Sequence, residues 1–357
     1  MRSREIERVR RAVRTAAIRL PEVFVRGARL VVAFSGGQDS TCLLHAMANA
    51  HRDLDVLAVH VDHALRPDSS TAAQEVQRRA AEIGVACQVV RVDVGAYRNS
   101  LKRASVQQAA RAARYQALSV AAERHAAAAV LVAHTADDQA ETVLLNLVRG
   151  AGVLGLAGMR MDDVVDPRRF GPPALQPSPE RPFRLVRPLL RIPRATTLAY
   201  CTRFGLSLVE DASNQTRVYT RNRVRLDLLP LLEQFNPAIR EVLARTAELA
   251  ADDLALLDAT VADQRAAVEL DGEYDLRVFR AQSRALQRRL LRLALESLTD
   301  GLVDVADATV EDTLDLLQTG QPDQTYHLPR GVEVCIKHQT FALRRHDNAR
   351  PRQSDKT

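Results

Sequence analysis

The sequence predicts an α/β protein: a parallel sheet with helices on both faces, followed by a smaller, mainly helical second domain. Two observations carry this. Apolar runs of strand length alternate with helical patterns through the first half of the chain, and the runs are nearly all apolar, as strands covered on both faces are. From about residue 226 the pattern turns helical and more acidic through residue 300.

Taken in order, residues 1–20 carry arginines without a continuous apolar stretch and read as an amphipathic, solvated helix, not a signal peptide. Leu30–Phe34 is the first buried strand, and Leu54–Val61 the next. Residues 69–83 are helical and end at Gly84; Val85–Val92 is a strand. Residues 106–125 form an Ala-rich helix, with Ser105 and Gln108 spaced as a capping box. Ala129–Ala133 is a further strand, and the helix 136–149 is stopped by Gly150. Residues 162–184 are rich in Pro and charge and read as a long loop. Gln324–Leu343 is β-like, and the tail after Arg345 is expected to be disordered. The expected divisions are an N-terminal helix (1–25), a sheet domain (26–222), a mainly helical domain (223–345) and a tail (346–357).

Of 357 residues, 46% are hydrophobic, 26% charged and 4% aromatic, a globular composition with an Ala/Leu/Val core. The net charge of +6 permits a polyanionic partner. All 50 basic residues except Lys102, Lys337 and Lys356 are arginines, which suits forked recognition of phosphates, though a G- and C-rich genome gives the same bias. The cysteines Cys42, Cys87, Cys201 and Cys335 are scattered, with no Cys-x-x-Cys pair, so neither a zinc ribbon nor a redox pair is indicated and a cytoplasmic protein is the default. No stretch is apolar enough to span a membrane.

Three polar clusters follow predicted strands. The first is Ser35-Gly36-Gly37-Gln38-Asp39-Ser40. Glycines let the backbone approach an anion, and a helix N-terminus directs unpaired N–H groups and a positive dipole end at it. Asp39 does not favour phosphate by itself, so its natural partner is a Mg²⁺ that the phosphates share. The second is His60-Val61-Asp62-His63. Histidines three apart at a strand end diverge, which favours adenine or ribose contact, or loop packing, over metal ligation. The third is Ala133-His134-Thr135-Ala136-Asp137-Asp138-Gln139-Ala140-Glu141-Thr142. With Thr135 as N-cap, Asp137 and Glu141 stand one turn apart, more acid than capping needs. Ligands of such sheets bind at the carboxyl ends of strands, where all three clusters lie.

The first cluster resembles the PP-loop of the N-type ATP pyrophosphatases, which implies cleavage of ATP between the α and β phosphates. The order Ser-Gly-Gly-Gln-Asp-Ser, His-Val-Asp-His-Ala-Leu-Arg, Ala110-Arg111-Ala112-Ala113-Arg114-Tyr115, Ala-His-x-x-Asp-Asp-Gln-x-Glu-Thr, Arg187-Pro188-Leu189-Leu190, Asp211-x-Ser213-Asn214 and Arg221-Asn222-x-x-Arg225 is similar to tRNA(Ile)-lysidine synthetases, strongly over residues 28–237. Thr135 stands where many members carry a second His. The chain looks like the short form of that family, without a further C-terminal domain.

The resemblance implies ATP and Mg²⁺ as cofactors, with free L-lysine and the isoleucine tRNA bearing a CAU anticodon as substrates; it leaves a homodimer open. Ser35, Gly36, Gly37, Gln38, Asp39, Ser40, His60 and Asp62 would bind ATP, with Asp39 on the metal. Arg111 and Arg114 would clamp the α-phosphate. Asp137, Asp138 and Glu141 would hold the lysine ammonium, with His134 a candidate base. Residues 181–225 hold ten arginines against two acids, with Phe183, Tyr200, Phe204 and Tyr219 interleaved, which suits tRNA contact through Arg187, Arg217, Arg221 and Arg225. A tRNA 2-thiolation enzyme shares the adenylation step but would need cysteines for sulfur or an iron–sulfur cluster.

Overall fold

The computed structural model describes residues 2–65, 69–101, 104–176, 178, 181–209, 220–270, 272–298, 307–328 and 331–345. The expected tail and Arg217 lie outside them. Contacts divide the chain into two units at Ala251/Asp252, later than the expected 222/223 boundary.

The first unit begins with α1 (Arg2–Arg19), β1 (Arg29–Ala33), α2 (Gln38–Ala50), β2 (Asp55–Asp62), α3 (Ser69–Ile83), β3 (Cys87–Arg91), α4 (Val94–Ser100) and α5 (Val106–Arg124). It continues with β4 (Ala129–Leu131), α6 (Ala136–Val148), α7 (Val153–Leu156), β5 (Asp162–Val165), β6 (Phe183–Val186), α8 (Arg194–Arg203), α9 (Thr220–Arg223) and α10 (Leu229–Phe235). The division between units falls inside α11 (Ile239–Val268).

The sheet order is β3-β2-β1-β4-β6-β5, parallel except for β5, which runs antiparallel to β6 at the edge. Successive β1 side chains enter opposite layers, as the strand period requires. Leu30 and Val32 pack with Leu43, Leu44 and Met47 of α2, Val9 and Val13 of α1, and Tyr200 of α8. Val31 packs with Val59, Val130 and Leu185, and with Tyr115 and Leu118 of α5. Chain order reverses direction between β1 and β4, so a crevice opens at their carboxyl ends, where α2 and α6 begin.

Two expectations need correction. The N-terminal helix is amphipathic but not solvated: Val9, Val13 and Ala16 have no exposed surface. The segment 162–184 is not all loop, because Asp162–Val165 pairs with Phe183–Val186. Charge disguised this edge pairing in the sequence: Arg184 Nε donates to Asp162 Oδ1 at 2.7 Å across the two strands, and charged residues are normal on edges.

The second unit carries β7 (Glu269–Leu270), β8 (Glu273–Asp275), α12 (Leu276–Ala281), α13 (Arg284–Leu298), α14 (Asp307–Thr319), β9 (Gln324–Leu328), β10 (Val332–Ile336) and β11 (Thr340–Arg345). The β-like stretch expected near the end is three strands of an antiparallel sheet ordered β7-β8-β11-β10-β9. Helices cover it through Phe279, Leu290, Leu314, Val334 and Phe341, all buried. The short β7–β8 hairpin was not anticipated; two- and three-residue strands leave almost no periodicity to read.

The capping box of α5 is formed: Gln108 N donates to Ser105 Oγ at 3.2 Å and Ser105 N to Gln108 Oε1 at 2.8 Å. Ser105→Ala is therefore expected to lower stability by about 1 kcal/mol in urea unfolding, with Ser105→Asp close to the parent. Equal stability of Ser105→Ala and the parent would contradict the cap.

Candidate active site

The turn after β1 is built for close backbone approach. Gly36 has φ +78°, and a Cβ there would lie 2.8 Å from Val209 Cγ2 and 3.1 Å from Val76 Cγ2, so both conformation and space require glycine. Gly37 is the N-cap of α2. Ser40 Oγ donates to Gly37 O at 3.0 Å, and Ser35 Oγ lies 3.1 Å from Ser40 Oγ, so the two hydroxyls brace the turn. The unpaired N–H groups of the first turn of α2 remain for an anion. Gln38 faces elsewhere: its Nε2 donates to Arg194 O at 2.9 Å and to Thr197 Oγ1 at 3.1 Å. It ties the turn to α8 and does not point into the phosphate position.

Asp39 is mostly buried. Thr197 Oγ1 donates to its Oδ1, and Arg194 Nε lies 3.4 Å from its Oδ2. Burial pushes its carboxyl up to about 6, against the Thr197 hydrogen bond and Arg194, which act to lower it. A single guanidinium thus under-compensates this carboxylate, which is the condition of a group built to take further positive charge. Mg²⁺ needs one or two carboxylates, with phosphate oxygens and water completing an octahedron, and one carboxylate beside a phosphate turn fits that demand.

His60 and Asp62 have local partners. His60 Nδ1 donates to Phe34 O at 2.9 Å, which leaves Nε2 the acceptor in the neutral ring, and burial lowers its pKa. Asp62 is buried and accepts from Ala64 N at 2.9 Å and Ser69 Oγ at 3.3 Å. It shapes the turn after β2 through an Asx-type bond, so a ligand contact would compete with that work. His63 Nε2 lies 3.4 Å from Arg114 Nη2, and burial and Arg114 lower its pKa to about 4. Arg111 lies on the same exposed side of α5, its Cζ 5.0 Å from the Tyr115 ring centre.

The acidic helix α6 is engaged more fully than its sequence suggests. Asp137 Oδ2 accepts from Arg194 N at 2.8 Å, and Arg240 Nη1 lies 3.0 Å from Oδ1. Asp138 Oδ2 accepts from both Thr135 N and Thr135 Oγ1 at 2.9 Å. Glu141 has no exposed surface and lies between Arg221 Nε, at 2.7 Å from Oε2, and Arg225 Nε on Oε1. Burial acts to raise the Asp138 carboxyl, but the neighbouring His134 and Arg221 and the Thr135 hydrogen bonds act to lower it, and the net direction is downward. The arginines arrive because α6 packs its Ala140, Leu144 and Leu145 against Val224 and Leu229, and a π-helical turn, Val224–Leu228, bears Arg225.

His134 stands before these acids. Burial, with Arg187, Arg111 and Arg221 nearby, lowers its pKa to about 3 although Asp138 opposes this, and its Nδ1 is buried without a hydrogen-bond partner. A ring that weakly basic is neutral and serves poorly as the base expected from the sequence. Arg187 also departs from expectation. It is buried, with Nη1 donating to Arg160 O at 2.7 Å and lying 3.3 Å from Asp163, so it is no surface ligand for RNA. Sequence reading missed Arg194, Thr197 and Arg240, whose carboxylate partners at the site lie 57 to 158 residues away, and no local pattern marks them.

A family model for the PP-loop domain matches residues 8–232, and one for the TilS substrate binding domain matches residues 275–349. The tRNA(Ile)-lysidine synthase of Thermosynechococcus vestitus is 37% identical over 87% of this chain and 85% of its own length. The chain belongs to the tRNA(Ile)-lysidine synthase family. A member from Salinispora arenicola is 43% identical over 74% of this chain and 72% of its own. One from Geobacillus kaustophilus is 34% identical, and this chain spans 67% of it. Among solved structures, the U34-tRNA thiolase NcsA from Methanococcus maripaludis with its [4Fe-4S] cluster aligns at a TM-score of 0.53 and 19% identity. That alignment covers 71% of this chain and 80% of the thiolase, and indicates a shared fold alone. Among the described residues, no helix is long and apolar enough to cross a membrane.

Removing the charge of Glu141 leaves two guanidiniums around a neutral, buried group. Glu141→Gln is expected to cost about 3 kcal/mol in chemical denaturation, and Glu141→Asp less. A loss below about 0.5 kcal/mol, the range of ordinary surface changes, would show that the arginines do not depend on this carboxylate.

Proposed function

We propose that the protein ligates free L-lysine to carbon-2 of the wobble cytidine of the isoleucine tRNA with a CAU anticodon, cleaving ATP to AMP and pyrophosphate. The observation that carries this reading is the meeting of an anion-binding helix start and an acidic helix start in one crevice, in a chain of this family. The reaction has two steps. The cytidine O2 attacks the α-phosphorus, forming an O–P bond as pyrophosphate departs. The lysine Nε, deprotonated once to the free amine, then attacks carbon-2, the C–O bond breaks, AMP leaves, and the nitrogen gives up a second proton and keeps one.

In the first step the amides at the start of α2 hold the triphosphate, and the exposed Arg111 and Arg114 meet the charge developing on the α-phosphate. Mg²⁺ held by Asp39 would supply charge to the departing pyrophosphate. His134, held neutral by burial, orients the cytidine as an uncharged ring. Base access requires the cytidine to leave its stack.

In the second step, lysine, with a reference pKa of about 10.4, must lose a proton before it attacks. Among the three carboxylates, Asp138 Oδ1 has the loosest guanidinium contacts, 3.3 Å to Arg221 and 3.8 Å to Arg225. An ammonium displaces those contacts more readily than the shorter ones on Glu141 or the two on Asp137, so Asp138 is the proposed lysine acceptor. Arg221 and Arg225, read from sequence as RNA ligands, act instead by holding α6. The reaction places the protein in the cytoplasm, with tRNA and free lysine.

Purified protein should release pyrophosphate only with ATP and tRNA together and should incorporate labelled lysine into that tRNA. Modification that ignores lysine or deposits sulfur would contradict the reading. Asp39→Ala should lower adenylation by about a hundredfold or more, the scale of losing a main charge-stabilising group. Its tRNA affinity should hold; normal adenylation by this variant would remove Asp39 from the mechanism.

A further inference from the structure

The start of α8 reaches the crevice from a part of the chain that carries none of the three motifs. Its first residues fasten both catalytic helices at once. Arg194 N donates to Asp137 on α6, and Gln38 Nε2 on α2 donates to Arg194 O and Thr197 Oγ1. Thr197 itself has no exposed surface.

The hydroxyl of Thr197 has one proton and two acceptors in reach, Asp39 Oδ1 and, at 2.8 Å, Arg194 O. Arg194 O already accepts from Gln38, whose amide also occupies a lone pair of the Thr197 oxygen. An ionised carboxylate is the stronger acceptor, so the proton goes to Asp39. That bond fixes one carboxylate oxygen, and leaves Oδ2, which has only the longer 3.4 Å ion-pair contact with Arg194 Nε among the described residues, as the oxygen to take a further cation.

Resting on the function proposed above, we infer that Thr197 is a positioning residue: it sets the rotamer of Asp39, and thereby how tightly magnesium–nucleotide is held. Thr197 touches neither nucleotide nor base in this account. It acts only through the Asp39 carboxylate. The γ-methyl fills space in the packing of α8 on α2, whereas the hydroxyl carries the positioning, and the two contributions separate by substitution.

The test is calorimetric titration of ATP into the full chain across a magnesium series, with tRNA affinity and thermal midpoint measured alongside. Thr197→Val keeps the shape and removes the hydroxyl. The magnesium concentration for half-maximal ATP affinity should rise about tenfold, as for loss of a hydrogen bond to a charged group, with metal-free ATP binding and tRNA affinity unchanged. Thr197→Ser, which keeps the hydroxyl and loses the methyl, should fall within about twofold of the parent in magnesium dependence while showing the lower thermal midpoint. Should Thr197→Val fail to fold, Thr197→Ala is read the same way against Thr197→Ser. An unchanged magnesium requirement in the hydroxyl-free variants, or a serine variant as impaired as they are, overturns the assignment. A parent protein that binds no ATP at any magnesium concentration overturns the functional reading itself, so the two failures are distinct.

Discussion

Placing four carboxylates at the ends of two adjacent parallel strands creates an electrostatic problem that the rest of the first unit is arranged to solve. Asp39, Asp137, Asp138 and Glu141 all lie at the crevice, partly or wholly withdrawn from water, and carboxylates in that position repel one another and lose hydration. The counter-charges come from elsewhere in the chain. Arg194 enters from α8, Arg221 from α9, Arg225 from the π-helical turn and Arg240 from α11. Each is brought by apolar packing of its own element, most visibly where Leu144 and Leu145 of α6 meet Val224 and Leu229. Packing and charge therefore reinforce each other here, and neither alone accounts for the placement of these four arginines.

Compensation is uneven, and the unevenness is chemically informative. Glu141, wholly buried between two guanidiniums, is structural in character. Asp137 is shared between a backbone amide and Arg240, and it joins α6 to α8 and α11. Asp138 is held firmly on one oxygen by Thr135 and loosely on the other. Asp39 is the least satisfied, with its carboxyl raised to about 6 by burial. The two groups with unspent capacity lie at the starts of α2 and α6, which is where a metal-bearing phosphate and a cationic amine are needed for the proposed chemistry.

Much of this was legible from the chain alone. The buried strands, their helices, the glycine turn and the Ser105–Gln108 cap are local patterns, and local patterns survive in sequence. The family similarity then marked the motif residues. What stayed hidden depended on long-range partners. Nothing around Arg187 says that it will be buried beside the β5–β6 edge, and nothing around Arg221 or Arg225 says that both will turn onto Glu141. Arginine-rich segments read as RNA surfaces because composition carries no direction. Thr197 was invisible for the same reason: an ordinary helix threonine acquires its role only when α8 docks on α2. The β5 strand was obscured because its charges, suited to an edge, resemble those of a loop.

The proposed chemistry rests on a nucleotide triphosphate occupying the turn between β1 and α2, with its metal on Asp39. A crystal structure of the protein with ATP and magnesium tests it most directly. Phosphate oxygens should lie against the amides of residues 36–39, and the metal on the Asp39 carboxylate. Well-ordered nucleotide bound elsewhere, with that turn filled only by water, would contradict it.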